Sequence, residues 1–208
     1  MELVEHRRTR LPADERRALI IAAARSLVAR NGFHATGTNE IAAAAGCSEP
    51  IIYRHFRSKQ ALFGAALEDA ARQIRARVDA NDALPGETPF DAYVRLMRDL
   101  IADPLFAEAS RLRLLAVSLA DDPEVNAALR TVSKLHRERA CGVVQTGKDD
   151  GSIRADIDGG MVAMVLFGLG LASSFKLAID GEDALAGFPA LLDSFVSLIR
   201  PHHEESQP

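Results

Sequence analysis

Residues 37–63 read GTNEIAAAAGCSEPIIYRHFRSKQALF, and this stretch decides the fold. Its first part places apolar side chains at the i, i+3 and i+4 spacing of one helix face, beginning at Ile41. Gly46 follows, at a point where a left-handed turn costs glycine the least. Ser48 then stands at the N-cap position of a second helix, and Pro50 lies in the first turn of that helix. The stretch therefore predicts two short helices joined by a glycine turn, the layout of a helix-turn-helix.

The second short helix predicts both a buried and an exposed face. Ile52 and Phe56 are four residues apart and point to the same side, so they are expected in the core. Ser58 is expected to cap a third helix. An ordinary corner of a three-helix core is the alternative reading. We favour the DNA-binding motif because the cap, the turn and the apolar stripe all fall at the spacing it needs.

The run from Arg17 to Leu67 resembles the DNA-binding region of TetR-family transcriptional regulators. The matching segments are residues 20–33, 35–38, 41–42, 45–48, 52–56 and 58–62. The run departs from the family pattern at Gly37, Asn39 and Cys47, of which Asn39 bears on base preference. The resemblance implies an all-α chain with an N-terminal three-helix helix-turn-helix DNA-binding domain and a C-terminal helical ligand-binding and dimerisation domain.

The residues expected at DNA lie on the outward faces of the two short helices and at their flanking turns. They are Thr36, Thr38, Asn39, Ser48, Glu49, Pro50, Ile51, Tyr53, Arg54, His55 and Lys59. Tyr53 and Lys59 match family positions that commonly hold the DNA backbone. An arginine can form a forked pair with guanine and an asparagine with adenine, so Arg54 and Asn39 are candidate base readers. Glu49 can accept from cytosine, or it can simply be a carboxylate favoured at a helix N-terminus.

Charge is distributed unevenly along the 208 residues, whose formal net charge is −4. Residues 1–60 carry ten basic and six acidic side chains, whereas residues 61–208 carry 15 and 23. A basic N-terminal region followed by an acidic remainder is typical of a protein that binds DNA with its N-terminal end. The two cysteines, Cys47 and Cys141, indicate a reducing compartment without a disulfide framework, and we expect a cytoplasmic protein. Packing explains Cys141 better than a thiol sensor does.

Beyond residue 60 the pattern is helical throughout. Asp103-Pro104 and Asp122-Pro123 each predict a helix start, with an Asp cap before a proline in the first helical position. Helices are expected at about 58–78, 90–102, 104–120, 123–148, 158–179 and 183–200. We predict four segments: a flexible basic arm at 1–13, the DNA-binding domain at 14–60, the effector-binding and dimerisation domain at 61–200, and a disordered tail at 201–208. For the arm, contact with DNA phosphates and simple solvation are equally good readings.

The last two helices, 159–179 and 183–200, are predicted to form the dimer interface. The first is apolar on most faces, which predicts burial on several sides and argues against a membrane span. Two-fold pairing of two such helices makes a four-helix interface. Closure of a core within one chain is the alternative. The family resemblance implies the dimer, because TetR-like proteins typically pair through their last two long helices.

An effector cavity is expected among the body helices, since ligand sites in helical folds lie between helices. Helical phase selects inward candidates with apolar side chains: Met97, Ile101, Phe106, Leu115, Met164 and Phe167. A solid core is the alternative for any one of them. His136 and Arg111 are the candidate polar contacts, and an exposed position on a helix surface is the favoured alternative for each. No charge is expected to be buried there, which favours a hydrophobic or amphipathic effector.

No catalytic residue, metal site or cofactor is predicted, because the sequence has no phosphate loop and no metal-spaced His/Cys set. These patterns and the resemblance together predict a homodimeric repressor that leaves a palindromic double-stranded DNA operator when a small molecule binds. The alternatives are a transcriptional activator, a small-molecule-binding or catalytic helical protein with a vestigial DNA head, and a DNA-organising protein without an effector.

Overall fold

The computed structural model describes residues 11–180 and 187–201. Within them the chain forms helices and no strands, so the predicted all-α class is confirmed. In chain order the helices are α1 (Ala13–Asn31), α2 (Thr38–Ala44), α3 (Glu49–His55), α4 (Lys59–Asp79), α5 (Pro89–Leu100), α6 (Pro104–Val117), α7 (Pro123–Asp149), α8 (Gly159–Asp180) and α9 (Phe188–Ile199). The predictions for residues 1–10 of the arm and 202–208 of the tail lie outside the described residues.

Side-chain caps set the predicted helix starts. The Asp103 carboxylate accepts from Leu105 N at 2.7 Å, and the Asp122 carboxylate accepts from Glu124 N at 2.9 Å. Ser58 Oγ accepts from Ala61 N at 2.9 Å at the start of α4. These bonds satisfy N–H groups that the first helical turn leaves unpaired.

Ser48 occupies the predicted N-cap position of α3, but it does not cap the helix with its side chain. Ser48 precedes α3 with extended backbone, but its side chain accepts no hydrogen bond from the helix. Its side chain is exposed to solvent instead. The hydroxyl is therefore available to an external partner.

Three clusters of buried side chains form the interior, and α4 contributes to all of them. The first joins α1, α2 and α3, and it includes Leu62 and Ala66 of α4. The second contains Phe63 and Leu67 with residues of α6 and α7, and the third contains Val78 with residues of α5, α7, α8 and α9. One continuous helix thus runs from the core of the N-terminal unit into the core of the body.

The expectation that the helix at 159–179 is buried on most sides is wrong for the single chain. Of the window Gly159–Lys176, only 22% is buried, although by length and composition alone it is apolar enough to cross a membrane. The helix packs mainly against α6 and α7, and another side of it is exposed in the described chain. Its large exposed apolar side chains are Met161, Met164, Val165, Phe175 and Ile179.

Candidate DNA-binding surface and effector cavity

The turn between α2 and α3 is held by backbone and side-chain bonds. Gly46 has φ 63°, the left-handed conformation that a side chain disfavours. Cys47 N donates to Ala42 O at 2.9 Å. From α1, the Arg16 guanidinium donates to the carbonyls of Ala45 and Gly46 at 3.0 and 3.2 Å. The turn is therefore fixed both within itself and to the first helix of the domain.

Five of the predicted contacts form an exposed surface on α2 and α3 that we call the recognition face: Asn39, Ser48, Pro50, Tyr53 and Arg54. They carry an amide, hydroxyls, a guanidinium and an apolar ring, the groups that bind base edges and phosphates. Ile51 and His55 lie beside this face and are half-buried, and Ile51 packs against the N-terminal cluster. The sequence and the structure therefore place most of the candidates on one side of the domain.

Three predicted contacts are bonded to one another across the two helices. The Thr38 hydroxyl donates to the Glu49 carboxylate, and Thr38 Oγ1 lies 3.4 Å from Tyr53 Oη. Glu49 also stands at the first position of α3, where its charge is favoured by the helix dipole. These bonds give Glu49 a role in fixing α3 against α2, and its proposed contact with cytosine stays a prediction.

Lys59 begins α4, and its ammonium also has a partner within the protein. Nζ lies 4.5 Å from the centroid of the Phe33 ring, a cation–π geometry. Desolvation lowers the pKa of Lys59 below its ordinary value. The predicted phosphate contact would therefore compete with the aromatic ring for this charge.

Thr36 is a correction to the predicted DNA surface. Its side chain is fully buried, and its hydroxyl donates to Gly32 O at 2.8 Å. Thr36 therefore ties the turn after α1 to the end of that helix. A buried hydroxyl with this partner is unable to reach DNA without unfolding of the turn.

A cavity of about 130 Å³ lies within the body, between α4, α5, α6, α7, α8 and α9. Met97, Phe106 and Phe167 line it, as the helical phase predicts. Most of the other lining side chains are apolar: Ala71, Ile74, Val78, Tyr93, Leu100, Val132, Leu135, Leu166, Phe188 and Leu192. The volume is close to that of engineered apolar cavities of about 150 Å³ that hold a benzene ring.

The other three predicted lining residues do not line this cavity. Met164 is 69% exposed, on the outer side of α8. Ile101, just after the end of α5, is buried but is not part of the cavity lining. Leu115 packs against the cluster formed by α1, α4, α6 and α7. Helical phase predicts which side chains of a helix share one face, but it does not tell which of several neighbours that face meets.

The expectation that no charge is buried at the cavity is also wrong. Arg113 lines the cavity, and desolvation lowers its pKa. The other candidate on this helix, Arg111, is exposed. Position 113 is four residues after buried Ala109 and three before buried Ala116, so helical phase placed it on the inner face. That spacing was the signal from which Arg113 could have been found.

His136 lines the cavity, and its predicted polar character is partly used within the protein. His136 Nε2 lies 3.2 Å from Ala163 O of α8, and its ring centroid is 5.3 Å from that of Phe167. Burial and the neighbouring positive charge of Arg113 lower the pKa of His136, against the opposing effect of the bond to Ala163. The imidazole is therefore held neutral at neutral pH.

Residues 20–66 match the family model described as bacterial regulatory proteins, tetR family. Among curated proteins, the chain is 47% identical over 62 residues to the HTH-type transcriptional activator FasR of Mycolicibacterium smegmatis, a match that covers 30% of this chain and 28% of FasR. It is 27% identical over 172 residues to the HTH-type transcriptional regulator UidR of Escherichia coli, covering 82% of this chain and 85% of UidR. The two matches differ in extent, 62 residues against 172.

Solved structures with the same fold are similar over nearly the whole chain. A TetR-family regulator from Rhodococcus sp. superposes with a TM-score of 0.76 at 22% identity, covering 90% of this chain and all of that one. A transcriptional regulator from Saccharomonospora viridis, solved in complex with choline, superposes with a TM-score of 0.74 at 20% identity over 91% of this chain and all of that one. Residues 20–66 are therefore a TetR-family DNA-binding segment, and the fold of the chain is that of the TetR-family structures. As in those structures, an N-terminal helix-turn-helix domain is joined to a helical C-terminal domain.

Proposed function

We propose that this TetR-family regulator is a homodimeric repressor that binds a palindromic double-stranded DNA operator and is released by a small amphipathic effector. One observation carries the proposal. Helix α4 contributes Leu62 to the core of the DNA-binding unit, and its later residues Ala71, Ile74, Arg75 and Val78 line the cavity. A ligand that moves the second half of this helix therefore acts on the element that positions the recognition face.

The exposed apolar side of α8 and α9 supports the dimer. Phe175 and Ile179 are 59% and 63% exposed on α8, and Leu191 and Leu198 are 51% and 67% exposed on α9. A second copy of the chain is the partner that covers the same surfaces by two-fold symmetry. A bilayer is a poorer partner for α8, because its other side carries the buried Ser173 and Ser174 and packs on α6 and α7.

The dimer gives the mechanism its geometry. Two recognition helices must lie about 34–36 Å apart, or a multiple of that distance, to enter successive major grooves on one face of DNA. A ligand that shifts α4 changes this separation. To move the protein from 1% to 99% released, the ligand must prefer the released state by about 5.5 kcal/mol.

A footprint on the DNA upstream of its own gene tests the proposal. We expect protection of a discrete palindrome whose affinity falls steeply with salt, as phosphate contacts require. Absence of specific binding to any DNA would favour the alternative of a helical binding or catalytic protein with a vestigial head. Uniform binding without a discrete site would favour a DNA-organising protein.

The sign of regulation is tested separately, because FasR, to which 62 residues of this chain are 47% identical, is a transcriptional activator. A reporter gene placed behind the footprinted promoter should be expressed more strongly when this regulator is deleted. Weaker expression in the deletion strain would identify an activator. The same proposal places the protein in the cytoplasm, with its DNA, and assigns it no catalytic activity.

A further inference from the structure

The charged side chains that line the cavity are all basic. Its lining contains three arginines, Arg75, Arg113 and Arg139, together with His136, and no aspartate or glutamate among the described lining residues. The acidic group in that lining is the Tyr93 phenol, and burial raises its pKa to about 12. The phenol is therefore neutral, and the cavity walls supply no negative charge.

Two of the three arginines have an acidic partner just outside the cavity. Arg75 Nε lies 3.3 Å from Asp79, and Arg139 lies 3.2 Å from the same carboxylate. Arg139 also donates to Val78 O at 3.3 Å. The single Asp79 carboxylate is shared by these two guanidinium groups and balances one of their two positive charges, and Arg139 Nε is buried without a hydrogen-bond partner in the described chain.

Arg113 is different. No carboxylate among the described residues lies within ion-pair distance of it, and its described contact is with an aromatic ring. The guanidinium carbon is 5.7 Å from the centroid of Phe167. A guanidinium stays protonated in proteins, and leaving a desolvated charge without a counterion is costly. An anion that enters the cavity and pairs with the Arg113 guanidinium would lower this free-energy cost.

The space next to Arg113 is open because of a glycine. A Cβ at Gly170 of α8 would lie 3.3 Å from Arg113 Nη1, closer than a comfortable contact. A side chain at position 170 would therefore crowd Nη1, and both Gly170 and Arg113 line the cavity. Arginine presents parallel N–H donors to a carboxylate, which gives a bidentate, charge-assisted pair.

We propose that the effector is an amphipathic organic anion whose carboxylate pairs with Arg113 and whose compact apolar body fills the space beside Met97, Phe106 and Leu166. The inference rests on the proposed function, since it assigns the chemistry of the same cavity. The small volume selects a body near the size of one aromatic ring or a short alkyl chain. A quaternary ammonium or a neutral sugar finds no matching partner at Arg113.

The test uses three series of probes that share the same apolar bodies, from butyl to octyl chains and alkyl-substituted phenyl rings. One series ends in a carboxylate, one in a primary amide and one in a trimethylammonium group. Binding to the full-length protein is measured by calorimetry, and release from operator DNA by fluorescence anisotropy. We expect the best carboxylate to bind at least tenfold more tightly than its amide, and the ammonium series not to bind.

Variants connect the preference to one side chain. Arg113→Met and Arg113→Gln should bind the carboxylate and the amide with equal affinity, whereas Arg113→Lys should keep part of the preference. Arg111→Gln is the matched control, because it removes an exposed arginine from the same helix. Retention of the full carboxylate preference in Arg113→Gln would overturn the assignment.

The ligand-free protein provides a second measurement. Replacing a partly buried cation that has no carboxylate partner by an apolar side chain is expected to stabilise, so Arg113→Met should raise Tm by about 2 °C or more, with Arg111→Gln unchanged. A lower Tm for Arg113→Met would show that the protein itself satisfies this charge.

The outcomes separate the two proposals. Equal or tighter binding of the amides or the ammonium compounds, with release from DNA, would overturn the anion and leave the ligand-responsive regulator standing. Absence of binding by all three series would overturn the anion assignment, and the footprint and reporter experiments would then decide the proposed function separately.

Discussion

The Arg25 guanidinium on α1 is hydrogen bonded to the Glu108 carboxylate on α6, a contact between the DNA-binding unit and the body. The same guanidinium reaches Asp69 on α4 at 2.7 Å. Its side chain is only 15% exposed, so solvent screens these pairs less than a surface pair. Three helices from both units therefore meet at one cation.

Replacing this cation should destabilise the protein. Arg25→Gln leaves two half-buried carboxylates close together without their counterion, and we expect a loss of about 2 kcal/mol in the free energy of unfolding. Lys134→Gln is the control, because Lys134 is exposed and pairs with Glu138 within one helix, a contact expected to contribute below about 0.5 kcal/mol. Urea denaturation measures both, and equal losses would contradict a linking role for Arg25.

Base reading is tested at Arg54 and Asn39. Each is exposed on the recognition face, and substitution by Ala should cost about 1–3 kcal/mol on the preferred site and relax one base position. Selection from random DNA, followed by binding to the selected site, measures both effects. Lys134→Ala on α7 is the control and should leave the preferred sequence and the affinity unchanged. An unaltered consensus for both recognition-face variants would exclude them from base contact.

Phosphate anchoring is tested at Tyr53 and Lys59. Tyr53→Phe and Lys59→Ala should weaken all DNA sequences about equally, because phosphates carry no sequence information. Lys59→Ala should also reduce the salt slope of binding by about one unit. Since Lys59 lies over the Phe33 ring, unfolding curves must accompany these measurements. Unchanged affinity and slope in a stably folded Lys59→Ala would disprove this docking geometry.

The dimer interface is tested with a charge on the exposed side of α8. Phe175→Asp should produce monomers in sedimentation experiments at micromolar concentration, because burial of the carboxylate opposite its symmetry mate is unfavourable. The affinity of this variant for operator DNA should fall as the dimer dissociates. Val117→Asp is the control, since Val117 is 56% exposed and belongs to α6, outside the two helices of the proposed interface. Dimers of Phe175→Asp with unchanged stability would place the interface elsewhere.

His136 should make stability depend on pH in one direction. Its pKa is lowered in the folded protein, first by burial and then by Arg113, so the unfolded chain binds the proton more readily. As the pH falls through the ordinary value of 6.5, protonation of the unfolded state reduces the free energy of unfolding, until the folded state also takes up the proton. His136→Gln should lose this component between about pH 7.5 and 5.5. Identical pH profiles would show that His136 titrates normally.

Local chemistry made much of the fold predictable. The Asp caps at Asp103 and Asp122 and the glycine turn at Gly46 depend on residues within a few positions of each other, so sequence spacing was sufficient to place them. Thr36 was misplaced because its burial depends on how the loop returns to α1, which no local pattern records.

The cavity was less predictable for the same reason. Its walls come from six helices, and the choice between Phe167 and Met164, three residues apart on α8, depends on which neighbour each side of the helix meets. Arg113 is not among the predicted lining residues, because arginines are usually exposed in proteins. Its spacing from the buried residues Ala109, Leu112 and Ala116 nevertheless predicts that it faces inward. The missing information was tertiary packing rather than helix periodicity.

The contacts between the DNA-binding unit and the body include Arg25 with Glu108, and Arg57 with Glu124 at the start of α7. Dissolved ions weaken such pairs, the exposed Arg57 most strongly. Salt therefore acts twice on this regulator: it competes for the phosphates of the operator and it loosens the attachment of the DNA-binding unit. A plot of operator affinity against salt concentration will be steeper than the number of phosphate contacts requires, and the excess measures how freely the DNA-binding unit moves.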